Sequence, residues 1–372
     1  MKENLIKIHS TLPSGSYGFP SDNNITLNQP VDKLRRPITD LRISLIDQCN
    51  FRCTYCMPKE IFDKNYKFLS SNSLLSFEEV ILLSKIFIRL GVRKIRLTGG
   101  EPLLRKDIEK LIEKLKNLRT ISGDFLQVTL TTNGQLLKTK LESLKTSGLD
   151  RITVSLDALD KRVFSKMTSS NVSPEKILNS INLAKEMGLN IKVNMVVKKG
   201  VNDNQIIPMA KYFKNKRITL RFIEFMDVGS TNGWKQTHVF PSKEITKILN
   251  QEFGVNYIGR NSQNEVSETW TYSDKSATFG TISSVSNPFC GNCTRARISS
   301  NGILYTCLFS NFGYNIKKII RTYNNDGSRE IEQYIYEFIY KIWTKRKDKY
   351  SLERNVINNT DNKRVEMSYI GG

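Results

Sequence analysis

The sequence predicts an α/β protein: an incomplete, TIM-like (β/α)6 barrel followed by a C-terminal α+β extension. Three observations carry this. Between residues 41 and 225, six short apolar runs alternate with longer amphipathic stretches, the signature of parallel strands joined by crossover helices. Six units rather than eight leave a barrel incomplete. After Gly229 the alternation stops and mixed elements follow, which marks the extension.

The elements follow in order. Residues 1–38 read as an irregular arm rich in Asn, Ser, Pro and Gly. Residues 41–46 form the first strand. Ser76 and Glu79 make a capping box ahead of an apolar helix that Gly91 stops. Strands follow at 94–98, 127–131, 152–156, 192–197 and 219–225. Helices lie near 107–118, 138–147, 174–188 and 205–213, with Pro174 in a first helical turn. The expected domains are the arm (1–38), the barrel (39–229), the extension (230–345, ending in an amphipathic helix over 331–345) and a tail (346–372) ending in Gly371-Gly372. By analogy with complete barrels, ligand-binding residues should collect at the C-terminal strand ends.

Composition bounds the function. Hydrophobic residues make up 39% of the 372, enough for a packed core. No run approaches the roughly 18 apolar residues of a membrane helix, so no membrane partner is expected. The first residues mix acids and bases with no apolar signal core, so a cytoplasmic, reducing setting is expected. The net charge of +21 fits either a lysine-rich solvated surface or a polyanionic ligand.

The six cysteines fall into two trios: Cys49, Cys53 and Cys56 in DQCNFRCTYC, and Cys290, Cys293 and Cys307 in FCGNCTRARISSNGILYTC. In a reducing compartment such clusters point to metal or catalysis. Three thiolates are one short of the four that close an iron–sulfur cluster, which leaves an iron open for a small molecule. A structural zinc would want a fourth ligand; it stays an alternative for both trios. His9 and His238 lie far from every cysteine in sequence, which argues against mixed Cys/His fingers.

The first trio follows the first strand, and the tract Thr98–Pro102 (TGGEP) follows the second. A glycine turn after a strand is weak evidence alone. Beside the C-x3-C-x2-C loop it becomes specific: glycines let a ligand approach the backbone, and Glu101 could accept from an ammonium group. This combination resembles the radical S-adenosylmethionine (SAM) superfamily. The resemblance implies that the open iron chelates SAM and that one electron from the cluster cleaves it to methionine and a 5′-deoxyadenosyl radical.

Arg295 and Arg297 directly follow Cys293, and guanidinium groups beside a metal site suit an anionic or purine ligand. With this TRAR tract and the terminal Gly-Gly, the chain from about residue 38 onward resembles the GTP 3′,8-cyclase family of molybdenum cofactor biosynthesis. That resemblance implies the following roles. Two [4Fe–4S] clusters sit on the two trios. Tyr55, Gly100, Ser155 and Met226 contact SAM, Met226 through its backbone. Arg42, Arg96, Thr131, Lys192, Arg295 and Arg297 contact GTP, with Lys94 and Arg221 as further candidates. Arg295, Arg297, Gly371 and Gly372 support catalysis, although a frayed end is the plainer reading of any tail. The reaction implied is abstraction of the 3′ hydrogen of GTP and closure onto guanine C8, giving 3′,8-cyclo-7,8-dihydro-GTP. The partners implied are GTP, a reductant, and cyclic pyranopterin monophosphate synthase as the next enzyme. No nucleic acid is expected, and a homodimer is allowed. A peptide-modifying radical SAM enzyme is the alternative. Strand-borne cations favour GTP independently, because Arg42, Arg96, Lys192 and Arg221 would be costly inside a covered parallel sheet without an anion.

Overall fold

The computed structural model describes residues 29–260, 265–322, 328–354 and 364–371. Most of the expected arm and Gly372 lie outside them. Among the described residues, one twelve-stranded sheet organises the chain. Its parallel centre comprises β1 (Asp40–Ser44), β2 (Lys94–Thr98), β3 (Gln127–Thr132), β4 (Arg151–Ser155), β5 (Ile191–Val197) and β6 (Thr219–Glu224), in chain order. The crossovers carry α1 (Phe77–Arg89), α2 (Ile108–Lys116), α3 (Leu137–Thr146), α4 (Lys161–Thr168), α5 (Pro174–Glu186) and α6 (Ile206–Asn215). The capping box at α1 forms as its residues imply: Ser76 Oγ accepts from the Glu79 N–H at 3.1 Å, and Glu79 Oε2 accepts from the Ser76 N–H at 2.7 Å. Helix α4 has no counterpart among the expected elements; it buries Phe164, Met167 and Thr168 at helical spacing, but its eight residues are shorter than the window over which such a period is read from sequence.

The extension is no separate layer. It contains α7 (Ser242–Phe253), β7 (Val255–Gly259), β8 (Glu268–Tyr272), β9 (Thr278–Ile282), β10 (Arg295–Ile298), β11 (Ile303–Tyr305), β12 (Tyr314–Asn315), α8 (Ile316–Thr322) and α9 (Ser328–Lys345). Strand β9 pairs in parallel with β6, and β10 in parallel with β1. The extension therefore continues the sheet at both edges, in the order β12-β11-β10-β1-β2-β3-β4-β5-β6-β9-β8-β7. The expected tail contains α10 (Tyr350–Glu353) and α11 (Met367–Ile370). The last residues of the expected irregular arm form a closed turn instead: Val31 bridges Pro37, and the Asp32 N–H donates to the Arg36 carbonyl at 3.1 Å.

Register gives the sheet two unlike faces. Residues aligned in a parallel ladder point to the same side, and neighbours along a strand to opposite sides. One face carries Leu41, Ile43, Ile95, Leu97, Val128, Leu130, Ile152, Val154, Val193 and Met195, all fully buried in the main core. Each such side chain contributes about 1.5–3 kcal/mol on burial. The opposite face carries Asp40, Arg42, Lys94, Arg96, Thr129, Thr131, Arg151, Thr153, Ser155, Lys192, Asn194, Arg221, Arg295 and Arg297. That polar face is where a ligand would have to sit.

Candidate active site

The two trios bracket the polar face. Cys49 follows the C-terminal end of β1, whereas Cys290 and Cys293 precede the N-terminal end of β10, the strand parallel to β1. They stand at opposite ends of the strands, about 16 Å apart along the strand direction for five residues at about 3.3 Å rise. This corrects the expectation that ligand residues gather only at the C-terminal ends. The register of β10, set by pairing across some 250 residues of chain, moves half of the chemistry to the other end.

The loop of the first trio is held at both flanks. The Arg52 N–H donates to the Thr168 carbonyl at 3.0 Å and the Thr54 N–H to the Met167 carbonyl at 2.9 Å. Arg52 Nη1 donates to the Cys49 carbonyl at 2.7 Å. Two donors face sulfur: the Phe51 N–H at 3.4 Å and Asn133 Nδ2 at 3.8 Å from Cys49 Sγ. Burial, helped by the Glu101 carboxylate, pushes the Cys49 thiol up to about 11; burial also raises Cys53 and Cys56 well above a thiol's usual range. Three such thiols can hold negative charge only with a cation among them, so the donor set fits an iron–sulfur cluster.

Two expectations about TGGEP change. The space a Gly100 Cβ would fill is taken by the backbone of Asp47 and Gln48, and that of Gly99 by the Ile46 carbonyl. These glycines admit the chain's own backbone: the Gly100 N–H donates to Ile46 O, and the Glu101 N–H to Gln48 O, both at 2.8 Å. The tract thereby clasps the root of the cysteine loop. Glu101 is fully buried, and its carboxylate accepts from the Leu103 N–H (3.0 Å), Thr132 Oγ1 (2.7 Å) and the Asn133 N–H (2.7 Å). It braces β2 against β3 rather than waiting for an ammonium group. Burial pushes it up to about 7.

Tyr55 sits beneath the trio and donates its hydroxyl to Asp157 Oδ2 at 2.8 Å. Asp157 Oδ1 accepts from the Val196 N–H at 2.9 Å, and Asn202 Nδ2 donates to the Asp157 carbonyl at 2.9 Å. The expected SAM residues thus share one end of the sheet: Tyr55 in the loop, Gly100 after β2, Ser155 ending β4, and Met226 after β6. The Met226 carbonyl already accepts from Asn232 Nδ2 at 2.9 Å. Asp157 and Asn202, absent from the expected set, are the buried groups that tie this end together.

On the polar face the arginines crowd. Arg96 Nη1 donates to Thr131 Oγ1 at 3.0 Å and to Thr153 Oγ1 at 3.3 Å, and Arg221 Nη2 reaches Thr153 at 3.4 Å. The Nε atoms of Arg42, Arg96, Arg151 and Arg221 are buried without partners. Burial, then repulsion from Arg295 and Arg96, holds Arg42 down near about 9; burial, then Arg221 and Arg151, brings Lys192 down to about 8. Asp40, paired with Lys94, is held at about 2: burial opposes ionisation, but Lys94, Arg42 and Arg96 outweigh it; Glu265 is a second acid, near Lys192 and Arg221. Such a surplus of buried cations needs an anion. Arg151 belongs to this group and was missed because it opens its strand beside a turn, where a cation looks like ordinary surface.

At the second trio the electrostatics invert. Burial would raise the Cys293 thiol, but Arg295 and Arg346 outweigh it and bring it to about 6, while burial and Asp348 push Cys307 up to about 12. A thiolate beside guanidinium groups is a ready metal ligand. Arg297 donates from Nη1 to the Gly371 carbonyl, which sets the tail against this face of the sheet. Gly371 has φ +73°, and a Cβ there would overlap Thr98 of TGGEP. Gly372 lies outside the described residues. Among the described residues, no three His, Cys, Asp or Glu side chains converge on a single ion.

Comparisons agree with this arrangement. Residues 43–213 match the model of the radical SAM superfamily and residues 218–352 that of Molybdenum Cofactor Synthesis C. The structure of Streptococcus suis SuiB bound to S-adenosylmethionine aligns with a TM-score of 0.54 at 18% identity, over 73% of this chain and 60% of that one, a likeness of fold. The GTP 3′,8-cyclase of Staphylococcus epidermidis is 47% identical over 344 residues, covering 92% of this chain and 98% of that protein. Those of Staphylococcus saprophyticus and Staphylococcus aureus are each 45% identical over 349 residues, covering 93% of this chain and all of theirs. With two cysteine trios bracketing a cationic face, and with relatives this similar along their full length, the chain belongs to the GTP 3′,8-cyclase family of the radical SAM superfamily.

Proposed function

We propose that this protein catalyses the SAM-dependent cyclisation of GTP to 3′,8-cyclo-7,8-dihydro-GTP, an early step of molybdenum cofactor synthesis. The single observation that carries this reading is the row of cations on one sheet face between two cysteine trios. A triphosphate satisfies the cations, and a nucleotide is long enough to reach from one end towards the other. When bound, the cluster on Cys49, Cys53 and Cys56 together with SAM supplies a 5′-deoxyadenosyl radical. In the overall change the 3′ hydrogen of GTP passes to the adenosyl carbon, C3′ bonds to guanine C8, and one further electron and proton complete the dihydro ring.

The chain's own groups position and shield. The TGGEP clasp and the Tyr55–Asp157 bond fix the cysteine loop. Arg42, Arg96, Arg151, Lys192 and Arg221 hold the phosphates, so C3′ and C8 stay near each other at little entropic cost. Arg295 and Arg297 stand beside the second trio, whose cluster would receive the guanine. Gly371 packs between Thr98 and Arg297 and excludes water from the face. Tyr55, Gly100, Ser155 and Met226 line the SAM end. A low-potential reductant, transfer of product to cyclic pyranopterin monophosphate synthase, a homodimer and a cytoplasmic setting complete the proposal. No helix among the described residues is long and apolar enough to cross a membrane.

The test is anaerobic reconstitution with iron and sulfide. GTP should be consumed only when SAM and reductant are both present, with one 5′-deoxyadenosine formed per GTP. SAM cleavage with GTP left intact would overturn the substrate. The peptide-modifying alternative has only the SuiB likeness, which speaks to fold, and a cationic face poorly suits it.

A further inference from the structure

Two buried arginines reach the second cysteine loop from distant parts of the chain. Asp32 Oδ1 accepts from the N–H groups of Leu34 and Arg36, both at 2.9 Å, which closes the turn before β1. From that turn Arg36 donates through Nε to Asp32 Oδ2 at 2.6 Å, and through Nη1 to the carbonyls of Cys290 (2.6 Å) and Asp348 (2.8 Å). Arg346, just past α9, donates through Nη1 to Asp32 Oδ2 at 3.1 Å and to the Cys293 carbonyl at 2.8 Å. Trp343 ties the two strands of the clasp, with Nε1 on the Arg36 carbonyl at 3.0 Å and its ring under the Arg346 guanidinium at 4.6 Å. Arg36 is 2% exposed, Arg346 5% and Asp32 4%. Two guanidinium groups thus share one buried carboxylate, with Asp348 reached by Arg346 only at the half-exposed edge (3.2 Å). Arg36 Nη2 is buried with no partner at all.

Structural anchoring alone does not call for two guanidinium groups held this deep. A buried ion pair is costly, and here only Asp32 is fully buried with the two guanidinium groups, while Asp348 meets Arg346 from a part-exposed position. The two guanidinium groups each donate to the carbonyl of a trio cysteine, Cys290 and Cys293, so their positive charge faces the cluster loop. Adding an electron to an iron–sulfur cluster adds negative charge, and net charge and hydrogen bonding around a cluster set its potential. We propose that Arg36, Arg346 and Asp32 form a clasp that positions the Cys290–Cys293 turn and, through the guanidinium charge it holds against that turn, raises the reduction potential of the cluster held there. Arg36 and Arg346 are positioning residues on this view, and the inference rests on the reading that the second trio holds a cluster.

The test uses full-length protein carrying Cys49→Ala, Cys53→Ala and Cys56→Ala, so that only the second cluster assembles, with iron and sulfide counts and an EPR-monitored redox titration. If this parent binds no iron and sulfide, the cluster reading fails, and the clasp with it. If it binds one cluster, Arg36→Gln is expected to shift the potential to more negative values and Asp32→Asn to more positive ones. Opposite shifts follow from charge; a merely structural role would move both the same way. An Arg36→Gln cluster with full iron and the parent's potential overturns the proposal, as do shifts of the same sign. If Arg36→Gln loses the cluster, Arg36→Lys, which keeps the charge, is expected to regain both iron and the parent's potential, and its failure to do so overturns the proposal.

Discussion

Single residues in this protein are decided by what the backbone leaves no room for. Gly100 shows it: any Cβ would enter the backbone of Asp47 and Gln48. Gly100→Ala should displace the root of the cysteine loop, and anaerobic protein should then lose the iron of the first cluster while keeping that of the second. Glu101 shows the energetic counterpart. Its folded pKa of about 7 stands above the usual 4.5, so the native state binds its proton more tightly than the unfolded chain. The stability this confers is present below about pH 4.5 and is lost as pH rises to about 7, roughly 3 kcal/mol in all. Glu101→Gln removes that dependence and also sets an amide N–H₂ against one of the donors that face the carboxylate, at a cost of about 1–3 kcal/mol. Thermal unfolding of wild type and variant across that pH range checks both points, with the variant losing its excess stability at the acid end. The sequence made both residues conspicuous as part of GGEP. It could not show that the Gly100 Cβ position and the Glu101 carboxylate face the protein's own backbone, because that depends on how closely the β1 and β2 loops approach.

At the scale of elements, the alternation along each strand is what the sequence displays best. Leu41–Ile43, Ile95–Leu97 and Val128–Leu130 point one way by their period alone, and Arg42 and Arg96 the other. The capping box of α1 was equally legible, because it is local. What pairs with β1 was not: β10 lies about 250 residues away, and nothing in RARI states its neighbour. The whole two-ended character of the site depends on that pairing. Along β4 the ladder makes its own prediction. Arg151 and Thr153 lie on the cationic face, and Arg151 has an unpartnered buried Nε. Arg151→Ala should raise the KM for GTP by about 10- to 100-fold, the equivalent of one charge-assisted hydrogen bond of about 1.5–3 kcal/mol, with SAM affinity unchanged. Thr153→Val leaves Arg96 and Arg221 short of an acceptor and should raise KM by less, about tenfold. Steady-state kinetics with both variants and direct SAM binding distinguish a phosphate role from a fold defect, which would lower both affinities.

On the scale of the molecule, the C-terminal tail joins the two ends. Arg364 donates to the Asp227 carbonyl (2.5 Å) and carboxylate (2.8 Å), and Glu366 accepts from the Ser230 N–H and Thr231 Oγ1, both at 2.9 Å. This holds the tail on the loop that follows Met226 and delivers Gly371 to Arg297. Substrate charge then separates the inner site from the basic exterior. The +21 net charge is spread over the chain, so an exterior of lysines will bind any polyanion weakly, and that binding collapses with salt because exposed charges are screened beyond about 8–10 Å. The inner cations are largely buried and far less screened. Affinity should therefore fall in the order GTP, GDP, GMP, guanosine, by about tenfold or more for each phosphate lost, and the GTP value should change little between low and high salt. Single-stranded RNA of matched total charge should lose its affinity over the same range. Equilibrium binding of the four ligands and the RNA at two ionic strengths settles the matter. If GTP affinity falls with salt as steeply as that of RNA, the nucleotide is held by the outer surface and the cationic face is not its site.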